Sequence, residues 1–221
     1  MAEKEKIFVF DLDGTLADTA PALLNAGNQI LKNIGRDPIN LEQYKGFIGG
    51  GTKKQVEKLL ISTGGIPDRG LDFYFKFFQD LYHEDPVKGC SLYKGVEELI
   101  ELLKSKGVKL TICTQKFESS AKKVLLHLDV YHQFDGFAFG DSTRVLKPDP
   151  KVFYHSVRGL GNGRYFYVGD TTIDLLLAKA VGASFFFHKM GYAPQTVEKA
   201  GIDFSFDSFS ELSRYFEQNL A

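Results

Sequence analysis

Short apolar runs recur along the chain with helical patterns between them, and this alternation constrains the fold more than any other feature. Ile7 to Phe10 is stopped by Asp11-Leu12-Asp13-Gly14-Thr15 and reads as a buried strand ending in a tight turn. Further runs are Lys109 to Thr114, Phe134 to Phe139, Tyr165 to Val168, Ser184 to Phe187 and the weaker Phe204 to Phe206. Between them lie Val96 to Lys106 closed by Gly107, Ser119 to Leu128, Lys151 to Leu160 closed by Gly161, and Ile173 to Val181 closed by Gly182. Strand alternating with helix calls for a parallel sheet covered on both faces, an α/β doubly wound core.

At 221 residues, against roughly 150 per domain, the chain suits one large domain or a core carrying an insert. Residues 16 to about 90 are too long for a single crossover and hold amphipathic patterns of their own, Ala20 to Ile34, Lys53 to Ile61 and Leu71 to Tyr82. They are separated by Gly35 to Pro38, Gly49-Gly50-Gly51, Gly64 to Pro67 and Asp85-Pro86. The expected organisation is a core of residues 1–16 and 87–221 with a small helical cap at 17–86, and hinges near Leu16 to Asp18 and Asp85 to Gly89. The aromatic stripe Phe73 to Phe78 has the spacing of cap core.

Composition narrows the class. Hydrophobic residues at 43% and charged residues at 25% exclude disordered, collagen-like and coiled-coil chains. A net charge of -1 without a basic run excludes nucleic acid as a main partner. Cys90 and Cys113 match no zinc spacing or disulfide framework, which fits a reducing compartment. The charged segment Met1 to Lys6 leads into too short an apolar run for a signal peptide or membrane span, so a cytoplasmic protein is expected, monomer or homodimer. The histidines, among them His188 just past a strand, share no metal-ligand spacing.

Ligands of open parallel sheets bind beyond the carboxyl ends of the strands. Those positions carry Asp11 and Asp13, then Thr114, then Lys147, then Asp170 with Asp174 four residues on. Gathered carboxylates invite a hard cation such as Mg²⁺, and Mg²⁺ implies a phosphorylated ligand. Asp11 suits a nucleophile that forms an aspartyl phosphate. Asp13 suits the acid that protonates the leaving oxygen and later activates water, and Lys147 and Thr114 suit the offsetting of phosphoryl charge.

Asp11-Leu12-Asp13-Gly14-Thr15-Leu16, Thr114, Lys147-Pro148-Asp149-Pro150 and Gly169-Asp170-Thr171-Thr172-Ile173-Asp174 resemble, in order, the four motifs of the haloacid-dehalogenase superfamily. The resemblance implies a Rossmann-like core with a helical cap of the first type. It also implies Mg²⁺ held by Asp11, the Asp13 carbonyl and Asp170, with Asp174 in support. Asp13 is what phosphatases and phosphomutases of that superfamily keep and dehalogenases lack. A phosphonatase would use a cap lysine, for which Lys53 is the candidate, but tends to lack Asp13.

Thr114-Gln115-Lys116, Tyr93-Lys94-Gly95-Val96 and Phe47-Ile48-Gly49-Gly50-Gly51 are similar to phosphoglycolate phosphatases, with Gln115 in place of the usual Asn and Leu92-Tyr93-Lys94 in place of a proline-rich turn. That likeness implies hydrolysis of a small phosphorylated metabolite, 2-phosphoglycolate foremost. Thr15, Gln115, Gly49 and Lys45 are expected around the substrate, with Lys53 and Lys54 as further basic candidates. A beta-phosphoglucomutase-like phosphomutase shares every core motif, and a non-catalytic phosphate- and Mg-binding module is the alternative from a different class. A signalling receiver uses similar residues but has no cap.

Overall fold

The structure, a computed structural model, describes residues 5–192, 197 and 200–220. Met1 to Lys4 and Ala221 of the expected core lie outside the described residues. In chain order the elements are β1 (Glu5–Phe10), β2 (Ala17–Asp18), α1 (Ala20–Asn33), α2 (Leu41–Lys45), α3 (Thr52–Ser62), α4 (Leu71–Glu84), β3 (Ser91–Leu92), α5 (Val96–Ser105), β4 (Lys109–Cys113), α6 (Glu118–His127), β5 (Gly136–Ala138), α7 (Pro150–Ser156), β6 (Gly163–Gly169), α8 (Thr172–Val181), β7 (Ser184–His188), β8 (Phe204–Phe206) and α9 (Phe209–Asn219). The large sheet has the order β5-β4-β1-β6-β7-β8 with every pairing parallel, the Rossmann-like α/β architecture expected from the strand and helix alternation.

Side chains alternate across a strand, and the central strand β1 is apolar throughout its buried stretch, Ile7 to Phe10, because both faces are covered. Phe8 and Phe10 of β1 join the cluster beneath α5, α6 and α9, whereas Ile7 and Val9 join the one beneath α7 and α8. Phe166 and Tyr167 divide in the same way on β6, and Phe186 and Phe187 on β7. The abundant phenylalanine is spent here: Phe8 lies 4.8 Å from Phe166 and 5.9 Å from Phe216, ring centre to ring centre. Each such ring, fully buried, contributes about 1.5–3 kcal/mol.

Helices α1 to α4 stand between β2 and β3, which pair antiparallel through Ala17 with Leu92 and Asp18 with Ser91. One expected hinge, Leu16 to Asp18, therefore runs into this short ribbon. The other, Asp85 to Gly89, lies between α4 and β3. In the aromatic stripe of α4, Tyr74 and Phe78 are buried, whereas Phe73 is 41% exposed beneath the Arg69 guanidinium. Among the described residues no helix is long and apolar enough to cross a membrane.

Several element expectations are corrected. The helix expected through Leu160 stops at Ser156, ahead of Gly159 and Gly161, both at positive φ. The strand expected over Phe134 to Phe139 shrinks to Gly136–Ala138, an edge strand, with a 3-10 turn at Tyr131–Gln133 ahead of it. Helix α2 was not foreseen; Asn40 and Gln43 close it with a reciprocal capping box. Helix α9 was also unforeseen, although Phe209, Leu212 and Phe216 give it a buried stripe.

Candidate active site

Strand β1 lies between β4 and β6, so the carboxyl ends of these strands converge and deliver Asp11, Thr114 and Asp170 to one place. Asp11, Asp170 and Asp174 are all buried and offer oxygen atoms within 4.8 Å of one another. Lys147 enters from the loop before α7. Its ammonium stands 3.1 Å from Asp11 Oδ1, donates to Asp174 Oδ1 at 2.7 Å and to the Cys113 carbonyl at 3.1 Å, and lies 3.2 Å from the Tyr167 hydroxyl. The Leu12 N–H also donates to Asp11 Oδ1, at 2.8 Å.

Each remaining carboxylate is held by particular donors. Thr15 Oγ1 donates to Asp170 Oδ1 at 2.9 Å, and the Tyr192 N–H donates to Oδ2 at 2.8 Å. Thr171 and Asp174 form the capping box of α8, which fixes Asp174 Oδ2. Glycines let the backbone close around Asp170: a Cβ on Gly191 would sit 2.2 Å from its Cβ, and one on Gly14, at φ 81°, would sit 2.4 Å from Oδ2. His188 is buried behind this loop with Nδ1 3.0 Å from the Gly14 carbonyl; burial pulls its pKa down, so it supports the turn as a neutral ring.

Three buried carboxylates against one ammonium leave negative charge uncompensated. Burial, then repulsion by Asp174 and Asp13, pushes Asp11 up to about 7, with Lys147 and the Leu12 N–H opposing. Asp170 rises well above the carboxylate range through burial and the nearby Asp174 and Asp11. For Lys147 burial works against the charge, but Asp11 and Asp174 outweigh it and hold the ammonium protonated. A cluster of hard oxygen donors short of positive charge fits a hard divalent cation.

Above the cluster is a cleft of about 60 Å³, walled by Asp11, Asp13, Thr114, Gln115 and Lys147 from the core and roofed by Gly49, Gly50, Gly51, Gln55, Phe78 and Tyr82 from the inserted helices. Asp13 Oδ1 accepts from Lys116 Nζ at 2.7 Å and from the Thr19 hydroxyl. Thr114 is 1% exposed and also lines the cleft. Gln115 donates through Nε2 to the Lys147 carbonyl at 3.2 Å. Its Oε1 and that of Gln55 are buried without a protein partner, open to a donor in the cleft.

The structure thus brings together Asp11, Asp13, Thr114, Lys147, Asp170 and Asp174, with Gln115 and Gly49 at the cleft wall. Thr15 is placed behind the cleft, fully buried and engaged by Asp170. Lys45 pairs with Asp18 at 3.8 Å and is not among the residues lining the cleft. Lys53 pairs with Asp72 at the surface. None of the histidines belongs to the carboxylate cluster.

Sequence reasoning missed Tyr192, Tyr167 and Thr19, and passed over Lys116 inside a motif it quoted. Tyr192 ties the site to the insert: its hydroxyl accepts from the Thr19 and Ala20 N–H groups at 2.7 and 3.0 Å and donates to Asp18 at 2.9 Å. The strand-end rule that found Asp170 reaches Tyr192 when it is carried past β7. Tyr167 offered no signal beyond its place in an apolar strand.

Residues 8–187 match the family described as haloacid dehalogenase-like hydrolase. A phosphoglycolate phosphatase of Cereibacter sphaeroides is 33% identical over 186 residues, covering 83% of this chain and 85% of that protein. A phosphoglycolate phosphatase of Rhodobacter capsulatus is 32% identical over 206 residues, covering 92% of this chain and 93% of the relative. The crystal structure of a predicted phosphoglycolate phosphatase from Haemophilus somnus superposes with a TM-score of 0.87 at 24% identity, over 97% of this chain and 99% of that one.

Proposed function

The chain belongs to the haloacid dehalogenase-like hydrolases, and from that premise we propose that it is a Mg²⁺-dependent phosphatase whose physiological substrate is 2-phosphoglycolate. The observation that carries this reading is Asp11, fixed by Lys147 at the floor of a narrow roofed cleft. Curated phosphoglycolate phosphatases at about one third identity support the substrate. Residues 17–86 act as a cap that closes to exclude bulk water, and residues 1–16 and 87–221 form the catalytic core. A small phosphorylated metabolite and the reduced, unpaired Cys90 and Cys113 fit the cytoplasm.

Asp11 Oδ1 is held by Lys147 and the Leu12 N–H, which leaves Oδ2 to attack phosphorus. As that bond forms, the bond from phosphorus to the leaving oxygen breaks, and the proton of Asp13 passes to that oxygen, releasing glycolate. Asp13, now a carboxylate, takes a proton from the water that attacks the aspartyl phosphate. The phosphorus–Asp11 bond breaks and inorganic phosphate leaves. Thr114 and Lys147 meet the phosphoryl oxygens, and the loop Gly49 to Gly51, whose backbone opens α3, faces the glycolate carboxylate. Asp11, Asp170 and the Asp13 carbonyl, with Asp174 behind, would hold Mg²⁺, which draws charge from the phosphoryl oxygens when bound.

The test is phosphate release from 2-phosphoglycolate and a panel of sugar and nucleotide monophosphates, with Mg²⁺ and with EDTA. The highest kcat/KM is expected for 2-phosphoglycolate, and EDTA abolishes release. A sugar phosphate ranked first, or isomerised without release, contradicts the substrate.

Metal binding has its own pH signature. The metal-free Asp11 carboxyl is raised from 3.8 to about 7, so its contribution to stability is complete below the unfolded value and is lost as pH rises through about 7. Mg²⁺ restores what is lost, and at a hundredfold excess over Kd it adds about 2.7 kcal/mol, a Tm increase of roughly 5–11 °C for a chain of this size. The increase is expected to be larger at pH 8 than at pH 5 in a thermal melt. A larger increase at pH 5 contradicts the site.

A further inference from the structure

Three side chains from separate elements stand in a row beside the cleft. Asp13 follows β1, Lys116 follows β4, and Tyr82 comes from the last turn of α4 in the insert. Lys116 is 6% exposed; its ammonium donates to Asp13 Oδ1 at 2.7 Å and lies 4.9 Å from the centre of the Tyr82 ring. A desolvated ammonium is stabilised by a carboxylate on one side and an aromatic face on another. Burial opposes the charge of Lys116, yet Asp13 and Tyr82 together hold it protonated.

Tyr82 is itself firmly placed. Its hydroxyl donates to the Pro86 carbonyl at 3.3 Å, and its ring stacks on Phe78 at 5.9 Å. The neighbouring His83 seats this end of α4 on the core helix α6, with Nδ1 3.1 Å from Ser120 Oγ and its carbonyl accepting from Lys123 at 2.9 Å. The ring therefore covers Lys116 only while α4 is docked. Both hydrogen bonds to Asp13 fall on Oδ1, from Lys116 and from Thr19 just ahead of α1. Oδ2 is left free of these two donors.

We propose that Tyr82 is a positioning residue for proton transfer: docked with the closed insert, its ring keeps the Lys116 ammonium on Asp13 Oδ1 and so aims Asp13 Oδ2 at the leaving oxygen. This rests on the reading of Asp13 as acid and base. The role couples closure of the insert to chemistry, because Asp13 is set for transfer only when Tyr82 is seated. Proton donation matters most when the leaving oxygen is a poor leaving group, which separates this role from a structural one.

The experiment measures kcat/KM for ethyl phosphate and trifluoroethyl phosphate, which are similar in shape but differ in the acidity of the leaving alcohol. Tyr82→Leu is expected to lose about tenfold on ethyl phosphate and little on trifluoroethyl phosphate, a fraction of the roughly 10²–10⁴-fold that a general acid contributes, because Asp13 itself remains. Tyr82→Phe keeps the ring but loses the hydrogen bond to the Pro86 carbonyl, and is expected to keep the ratio between the two esters close to that of the native chain. An equal loss on both esters, or none, overturns the proposal. Should Tyr82→Leu fail to fold in a thermal melt, Lys116→Met carries the same comparison, with Lys116→Arg expected to recover part of the loss. Asp13→Asn separates the two readings: a selective loss there with none in Tyr82→Leu sinks only the role of Tyr82. An unselective loss in Asp13→Asn sinks the acid and base assignment itself.

Discussion

Asp11→Asn is expected to lower kcat for phosphoester hydrolysis by about 10⁵-fold or more, the scale seen when a covalent nucleophile is removed, while leaving the fold intact. The amide keeps the shape of the carboxylate and can still face Lys147, but it cannot form the aspartyl phosphate. Stability should not suffer, because Asp11 is a carboxylate that burial and the charges of Asp174 and Asp13 already disfavour. The Tm of metal-free Asp11→Asn is expected within a few degrees of the native value. Steady-state phosphate release and a melt on the same sample check both halves. Loss of activity with a collapse in Tm would mean that Asp11 is structural, and retained activity would mean that another group attacks phosphorus.

Lys147→Met is expected to damage activity and stability together. The ammonium is buried and bridges Asp11 at 3.1 Å and Asp174 at 2.7 Å. Removing one partner from a buried ionic cluster costs about 3–5 kcal/mol, because the charges left behind are unpaired. For a chain of this length that lowers Tm by roughly 6–20 °C. Without Lys147, Asp11 is no longer held and transferred phosphoryl charge is not offset, so activity is lost too. Lys147→Arg is not expected to rescue either property: a planar guanidinium does not fit the pocket formed by the Cys113 carbonyl, Tyr167 and Asp174. Calorimetry with and without Mg²⁺ measures the stability effect. A Lys147→Met variant as stable as the native chain would show that the carboxylates are paired by something else.

The contrast between these residues and those the sequence left hidden has a physical basis. Asp11, Thr114 and Asp170 were legible because each directly follows an apolar strand, and a parallel sheet brings strand ends together. Lys147 was read from the segment past a further strand, and Asp174 from its place four residues after Asp170. Tyr192 was hidden because its partner Thr19 is 173 positions away, and no local periodicity records a contact of that span. Lys116 was in view as a letter of a motif, but its pairing with Asp13 depends on how two loops from different strands meet.

Lys45 and Thr15 show the opposite case. Residue type and neighbourhood pointed to the substrate, but a few ångströms of backbone placement turned one toward Asp18 and the other toward Asp170. Elements behaved in the same way. Strands covered on both faces announced themselves as apolar runs, whereas α2, five residues long, and β2 and β3, two each, are too short to carry a periodicity.

The central claim is that a phosphoryl group passes through Asp11. It is tested most directly by mixing the protein with radiolabelled 2-phosphoglycolate and Mg²⁺, quenching in acid within the first turnover, and mapping the label by peptide digestion. The account predicts label on the peptide containing Asp11, released by hydroxylamine and absent in Asp11→Asn. Turnover without label on that peptide, or label that persists in Asp11→Asn, would contradict it.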